Sequence, residues 1–311
     1  MAAASGEDAI RWDTQPLAAW TARHAAGQLL SLGGRQTHYV VKGSGKPVIL
    51  LHGFFFDSSV WCHNLDHLAR SHRVYALDLW GFGYSARTTQ PGYALYSQQL
   101  AAFMQALDIE QATLVGQSLG GGVAIRFSVQ HPDKVDKLVL VDSAGLANPN
   151  PLAARLLSLP RVGEALLNLP GNALRKKMLK DFFLYRPETL SPELFRQLTA
   201  AQKIAGTTAS ALALMRRGVA DKLEGALQRL AALGLPTLIV WGAQDRATPL
   251  ALGQRMHQLL PGSSLCVIQN AGHVPNLEQP ALFNARVDAF LREETHPASR
   301  QPPPFSGLNH D

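Results

Sequence analysis

A serine between glycines stands where a short apolar run meets a helical pattern. Residues 113–115 form the apolar run, and the letters G-Q-S-L-G follow at 116–120. This spacing between a strand and a helix predicts a tight turn that pushes the Ser118 hydroxyl clear of the sheet in a strained conformation. The helix that begins there directs its free N–H groups and positive dipole end towards the hydroxyl, and the Leu119 N–H is a candidate oxyanion donor. The pattern therefore predicts nucleophilic attack by Ser118.

A serine hydroxyl is a weak nucleophile at neutral pH and needs a base that is itself oriented by an acid. His273 in A-G-H-V-P and Asp245 in W-G-A-Q-D both follow predicted strands. Because functional groups collect at the carboxyl ends of parallel strands, we expect both side chains to converge with Ser118. We predict His273 as the base and Asp245 as the acid. Asp142 also ends a predicted strand and is the rival acid.

The loop that follows the first buried parallel strand has the sequence H-G-F-F-F-D at 52–57. Such a loop is expected to supply the second oxyanion donor, and we choose the backbone N–H of Phe54. Asp78, in D-L-W-G-F-G-Y-S, is predicted to hold its own glycine loop. The substrate pocket is predicted to be formed or shaped by His52, Gly53, Phe55 and Gln117, with His52 acting through hydrogen bonds to its loop.

Strands that alternate with helices predict an α/β fold in which a parallel sheet carries helices on both faces. The strands are expected at residues 28–32, 36–42, 47–51, 73–77, 113–115, 135–141, 237–241 and 264–268. The first two are joined by Gly33-Gly34, which indicates a hairpin.

The alternation of strands and helices stops after residue 145 and resumes at residue 236. The intervening residues have helical spacing interrupted by prolines, which predicts a helical cap that shields a bound substrate from water. The expected division is a core at 28–145 and 236–294, a cap at 146–235, an N-terminal extension at 1–27 that is frayed over 1–15, and a disordered tail at 295–311.

Composition excludes several classes of function. The chain has 311 residues, 46% hydrophobic and 17% charged, which suits a large globular core. Its net charge of +6 is not gathered into a basic stripe, so no nucleic-acid partner is expected. Cys62 and Cys266 have neither disulfide nor metal-ligand spacing and are predicted to be small buried hydrophobes. No secretory or membrane-spanning pattern is found, so the cytoplasm is the expected compartment and a small molecule the expected partner. A homo-oligomer is compatible with the sequence.

These motifs together resemble the α/β-hydrolase fold family, in its cap-bearing form. The resemblance extends over residues 28–294 and is carried by H-G-F at 52–54, D-L-W-G-F-G-Y-S at 78–85, G-Q-S-L-G-G at 116–121, W-G-A-Q-D at 241–245 and A-G-H-V-P at 271–275. It implies a mostly parallel eight-stranded sheet with an antiparallel pairing at one edge. It also implies acyl transfer through a Ser-His-Asp triad, with neither metal nor cofactor.

The resemblance leaves the substrate open. Haloalkane dehalogenases and epoxide hydrolases of this fold use an aspartate nucleophile, so Ser118 argues against both. Hydrolases of meta-cleavage (ring-fission) products, which cut C–C bonds, are similar in cap position and in the stretch at 181–194, but they usually carry small residues where Phe54, Phe55 and Phe56 stand. We predict a serine hydrolase of small or medium apolar carboxylic esters. The alternatives are a C–C bond hydrolase, a cofactor-free haloperoxidase or perhydrolase, a lipase, and a non-catalytic ligand-binding member of the fold.

Overall fold

The fold is built on one sheet whose strands follow the predicted apolar runs. It is described from a computed structural model, in which residues 10–148, 156–217 and 223–293 are described. The strands are β1 (Gln28–Leu32), β2 (Arg35–Lys42), β3 (Pro47–Leu51), β4 (Arg73–Leu77), β5 (Ala112–Gln117), β6 (Val135–Val141), β7 (Thr237–Gly242) and β8 (Ser263–Ile268). The predicted tail at 295–311 lies outside the described residues.

The eight strands pair in the order β1-β2-β4-β3-β5-β6-β7-β8. The pairings of β1 with β2 and of β2 with β4 are antiparallel, and the remaining pairings are parallel. The predicted fold, a mostly parallel sheet with an antiparallel edge, is therefore confirmed. Because β5 lies in the middle of this order, Ser118, which follows β5, lies at the carboxyl end of a central strand.

Both faces of the sheet are buried, which explains why its central strands are apolar without alternation. In β3, Val48 and Leu50 belong to the hydrophobic core on one face, while Ile49 and Leu51 belong to the core on the other. All four are fully buried. Helix α1 (Leu17–His24) lies in the N-terminal extension and contributes Trp20 to a separate hydrophobic cluster. The helices that cover the sheet faces are α2 (Leu65–Leu68), α3 (Tyr93–Ala106), α4 (Leu119–Gln130), α10 (Leu250–Leu259), α11 (Pro275–Glu278) and α12 (Pro280–Arg292).

Between β6 and β7 the described chain contains helices joined by turns and irregular segments, and none of the sheet's strands. Its α-helices are α5 (Val162–Leu167), α6 (Ala173–Met178), α7 (Pro192–Thr199), α8 (Thr207–Arg217) and α9 (Glu224–Ala232). A π-helical turn, Leu179–Phe183, follows α6, and a 3₁₀ turn, Ala200–Lys203, follows α7. We call the described part of residues 156–217 the cap. Among the described residues, no helix combines the length and the apolar character needed to cross a bilayer.

The N-terminal extension is bound to the cap, so the expectation that all of residues 1–15 are frayed is wrong for residues 10–15. The backbone N–H groups of Thr14 and Gln15 both donate to the Lys203 carbonyl at 2.8 Å. The Trp12 indole N–H donates to the Gly171 carbonyl at 2.8 Å, and the Arg175 guanidinium stacks 4.1 Å from the Trp12 ring centroid. These contacts are far apart in sequence, so no local pattern predicts them.

Candidate active site

The turn that carries Ser118 has the strained backbone expected of G-x-S-x-G. Ser118 has φ 51° and ψ −115°, which few non-glycine residues adopt. A Cβ on Gly120 would lie 2.2 Å from the Leu51 carbonyl oxygen, and one on Gly116 would lie 2.4 Å from the Gly120 carbonyl oxygen. Strand β5 and helix α4 therefore approach each other so closely that only glycine fits. Ser118 is half-buried between fully buried neighbours, so the turn lifts it out of the core.

Hydrogen bonds hold this turn from both sides. The Ser118 N–H donates to the Val141 carbonyl of β6 at 2.9 Å, and the Ser118 carbonyl accepts from the N–H groups of Gly121 and Ala144, each at 2.9 Å. Helix α4 begins at Leu119, whose N–H is one of the donors that a helix leaves unpaired at its first turn. The predicted donor is thus next to the predicted nucleophile on a fixed backbone.

His273 and Asp245 are brought together although they lie in different loops. His273 Nδ1 lies 2.8 Å from Asp245 Oδ2, and both side chains are almost completely buried. If Nδ1 carries the proton that this bond needs, Nε2 is left as an acceptor, which is the tautomer a general base requires. The paired side chains therefore have the geometry of a base and its orienting acid.

The carboxylate of Asp245 collects further donors from the turn that follows it. Oδ1 accepts from the N–H groups of Ala247 at 2.7 Å and Thr248 at 2.9 Å. The Thr248 hydroxyl donates to Oδ2 at 2.6 Å. Burial by itself raises the pKa of Asp245, but the charge of His273 and these hydrogen bonds outweigh it, so the pKa is lowered. Asp245 is therefore held as an anion.

Asp142, the rival acid, lies beside this pair. One carboxylate oxygen from each aspartate and one ring nitrogen of His273 lie within 4.8 Å of one another. Asp142 Oδ1 accepts from the Gly242 N–H at 2.9 Å, and the side chain is fully buried. Burial, followed by the charge of Asp245, raises the pKa of Asp142 well above its usual range. Since His273 already bonds Asp245, we interpret this group as a hydrogen-bond network and not as a metal site.

The loop after β3 lies against the nucleophile. A Cβ on Gly53 would lie 3.1 Å from the Ser118 Cβ, so this position directly adjoins the serine side chain. Phe54 is only partly buried, and its ring packs edge-on against Phe55 at a centroid distance of 4.5 Å. Phe55 has φ 65°, a left-handed conformation in a non-glycine residue. The backbone at Phe54 and Phe55 is therefore bent sharply next to Ser118.

The side chains of His52 and Gln117 are both fully buried. His52 Nε2 accepts from the Leu79 N–H at 2.9 Å, and Nδ1 lies 2.8 Å from the Gly53 carbonyl. Burial lowers the pKa of His52, which favours the neutral ring that this bonding pattern needs. The Gln117 amide donates to the His273 carbonyl at 2.9 Å. Both are predicted pocket residues, and the structure shows them fully buried, in hydrogen bonds to the loops around Ser118 and His273.

The cap contacts the loops that carry His273 and Phe55, through residues that the sequence motifs do not reveal. The His273 N–H donates to the Phe183 carbonyl at 2.8 Å, and the two rings are 5.5 Å apart. The Gln202 amide donates to the Phe55 carbonyl at 2.8 Å. A cavity of about 20 Å³ is lined by Phe55, Arg175, Met178, Leu179, Phe183, Thr199 and Gln202. The predicted pocket residue Phe55 therefore lies where the cap meets the core.

Glu278 also links the loop that carries His273 to the cap. Its carboxylate accepts from the Gly272 N–H at 2.6 Å and from the Arg186 N–H at 2.7 Å. Glu278 and Thr248 were both missed from the sequence. Each stands a few residues from a predicted triad member, which is the one local signal that points to them.

The family comparison agrees with this geometry. Residues 46–280 match the family model described as the alpha/beta hydrolase fold. This match covers most of the chain, and the protein therefore belongs to the α/β-hydrolase fold family.

Individual relatives show which enzymes of this family are similar to the chain. A 2-hydroxymuconate semialdehyde hydrolase of Pseudomonas sp. (strain CF600) is 29% identical over 275 residues, which cover 86% of this chain and 94% of that one. Among solved structures, a meta-cleavage product hydrolase from Pseudomonas fluorescens IP01 has 27% identity and a TM-score of 0.73, covering 85% of this chain and 97% of the other. A thermophilic esterase from Thermogutta terrifontis has 27% identity and a TM-score of 0.72, covering 86% and 98%. The meta-cleavage product hydrolase and the esterase are thus similar to this chain to nearly the same degree.

Proposed function

We propose that the protein is a serine hydrolase that cleaves small or medium apolar carboxylic esters through an acyl-enzyme. The observation that carries this proposal is the 2.8 Å contact between His273 Nδ1 and Asp245 Oδ2, in a loop that a hydrogen bond from Gln117 joins to the strained Ser118 turn. A base oriented by a buried anion, next to a raised serine, is the arrangement that activates a hydroxyl.

The reaction then has two steps. His273 Nε2 takes the Ser118 proton while Oγ bonds to the ester carbonyl carbon, and the N–H groups of Phe54 and Leu119 stabilise the oxyanion. The protonated His273 gives its proton to the leaving alkoxide, which departs as an alcohol. His273 next takes a proton from water, whose oxygen attacks the acyl carbonyl, and the acid is released as the proton returns to Ser118.

The test is a panel of p-nitrophenyl esters of increasing acyl length, assayed with wild type and Ser118→Ala. The substitution removes the nucleophile and should lower kcat by about a thousandfold or more. Labelling by a fluorophosphonate probe, present in wild type and lost in Ser118→Ala, would confirm the nucleophile independently of the substrate. A wild type that neither turns over an ester nor reacts with the probe would point to the ligand-binding alternative.

A second candidate is hydrolysis of the C–C bond in a ring-fission product. It is favoured by the relatives named 2-hydroxymuconate semialdehyde hydrolase and 2-hydroxy-6-oxo-2,4-heptadienoate hydrolase, each 29% identical over 86% of this chain. Phe54, Phe55 and Phe56 replace the small residues usual in such enzymes, and for this reason we place esters first. A kcat/KM for a dienoic diketo acid that exceeds the best ester value would reverse this order.

A further inference from the structure

Asp142 has a buried oxygen without a hydrogen-bond donor. Its Oδ1 accepts from the Gly242 N–H, but no described residue donates to Oδ2, although this atom is inaccessible to solvent. A buried carboxylate oxygen without a hydrogen-bond donor is costly when it is ionised, because the charge on it is not compensated. The backbone at this position is held in a left-handed conformation, with φ 43° at Asp142, and the Asp142 N–H donates to the Val240 carbonyl.

A second acid, Asp245, lies beside Asp142. Asp245 lies within 4.8 Å, and its carboxylate already accepts bonds from His273, Thr248 and Ala247. Two carboxylates at this separation do not both stay ionised in a buried site. The Asp245 carboxylate has hydrogen bonds from His273, Thr248 and Ala247, so Asp245 is the acid that keeps its negative charge.

We propose that Asp142 is a positioning residue, which carries a proton and donates a hydrogen bond to the Asp245 carboxylate. Burial and the charges of Asp245 and Glu278 raise the pKa of Asp142, which agrees with a protonated side chain at neutral pH. The added donor holds the Asp245 carboxylate towards His273. This inference rests on the proposed function, because it takes Asp245 as the acid of the triad.

The matched pair of substitutions is Asp142→Asn and Asp142→Ala. The asparagine amide imitates a protonated acid, since its oxygen accepts from Gly242 and its N–H₂ donates to Asp245. Asp142→Asn should therefore keep kcat within about threefold of wild type, whereas Asp142→Ala should lower it about tenfold or more, as expected for a lost hydrogen bond to a charged group. Asp245→Asn should cause the large loss expected for the triad acid.

The pH profile distinguishes positioning from a merely structural role. An ionised Asp142 would stabilise the His273 imidazolium, so its replacement by asparagine would move the acid limb of kcat/KM down by about one pH unit or more. A protonated Asp142 has no charge to lose, so the acid limb of Asp142→Asn should coincide with that of wild type. The charged groups that face Asp142 here are Asp245, His273 and Glu278.

An infrared difference spectrum tests the proton without relying on catalysis. Wild type minus Asp142→Asn at neutral pH should contain the carbonyl stretch of a protonated carboxyl group, which shifts in D₂O. Only carboxylate bands in this spectrum, a shifted acid limb, or an inactive Asp142→Asn beside an active Asp245→Asn would overturn the proposal. If wild type shows no hydrolysis at all, the proposed function fails, while the infrared band still decides whether Asp142 is protonated. Circular dichroism confirms that each variant is folded.

Discussion

The Gln117 side-chain amide donates a 2.9 Å hydrogen bond to the backbone carbonyl of His273. The residue before Ser118 therefore tethers the loop that carries His273, although 156 positions separate Gln117 from His273. Glycine at position 53 leaves the space that this side chain occupies, because a Cβ there would lie 2.0 Å from Gln117 Oε1. The position of the His273 loop is thus fixed in part by a buried amide that is not a predicted triad member.

Gln117→Leu should lower kcat about tenfold while the protein stays folded, because the His273 loop loses a buried hydrogen bond. The control is Gln111→Leu, since Gln111 is exposed and its amide also donates to a backbone carbonyl, that of Asp133, at 3.2 Å. Steady-state kinetics on the best ester substrate measures both. Equal kcat values for the two variants would show that the tether does not position the base.

Thr248→Val should reduce kcat about tenfold, because Asp245 loses the hydroxyl that donates to Oδ2 at 2.6 Å. The valine side chain has nearly the same shape, so the loss reflects the hydrogen bond and not a cavity. Thr248→Ser keeps the hydroxyl and should retain most of the activity. An active valine variant would mean that His273 alone is enough to orient the acid.

Asp57→Asn should make stability less dependent on pH. Burial and the nearby Asp78 carboxylate raise the pKa of Asp57 to about 7, while the unfolded chain has a pKa of about 4. The folded state therefore holds this proton to higher pH, and wild type loses stability as pH rises from about 4 to about 7, at a slope of up to about 1.4 kcal/mol per pH unit. His38 and Asp78 are the charged neighbours of Asp57.

Urea unfolding across this pH range is the measurement for Asp57. The advantage of Asp57→Asn over wild type should grow with pH and then become constant above about pH 7. Asp66→Asn, at an exposed aspartate paired with Lys42, is the control and should differ from wild type by a constant amount. A constant difference for Asp57→Asn as well would show that Asp57 is ionised throughout.

Trp12→Ala should destabilise the protein by about 3 kcal/mol, because a buried ring is removed from between the N-terminal extension and the cap. Trp12→Phe keeps a ring beside Arg175 and loses only the indole N–H, so it should cost about 1 kcal/mol. Thermal unfolding measures the loss, and limited proteolysis shows whether cleavage begins in the cap. Resistance of the alanine variant to cleavage in the cap would contradict a fastening role for the extension.

Much of the fold could be predicted from the sequence, because its signals are local. The apolar run at 47–51 has no polar position, which is typical of a strand covered on both faces, and Val48 and Leu50 are indeed fully buried against one core while Ile49 and Leu51 are buried against the other. The turn at Ser118 was predicted for the same reason, since the two glycines are needed wherever strand and helix approach so closely. Residues 10–15 gave no such signal, because their partners are far away in the chain: Gly171, which accepts from Trp12, lies 159 positions away.

The sequence by itself determined which side chains stand at strand ends and that one of them is a serine on a tight turn. Only the tertiary structure decided how the two aspartates divide their roles, since Asp142 and Asp245 follow neighbouring strands and look alike in the chain. Their environments differ: Asp245 receives donors from His273 and Thr248, whereas Asp142 has a buried oxygen that no described residue serves. Charge in a buried site is set by the donors and charges within a few ångströms, and those neighbours are assembled only when the chain folds.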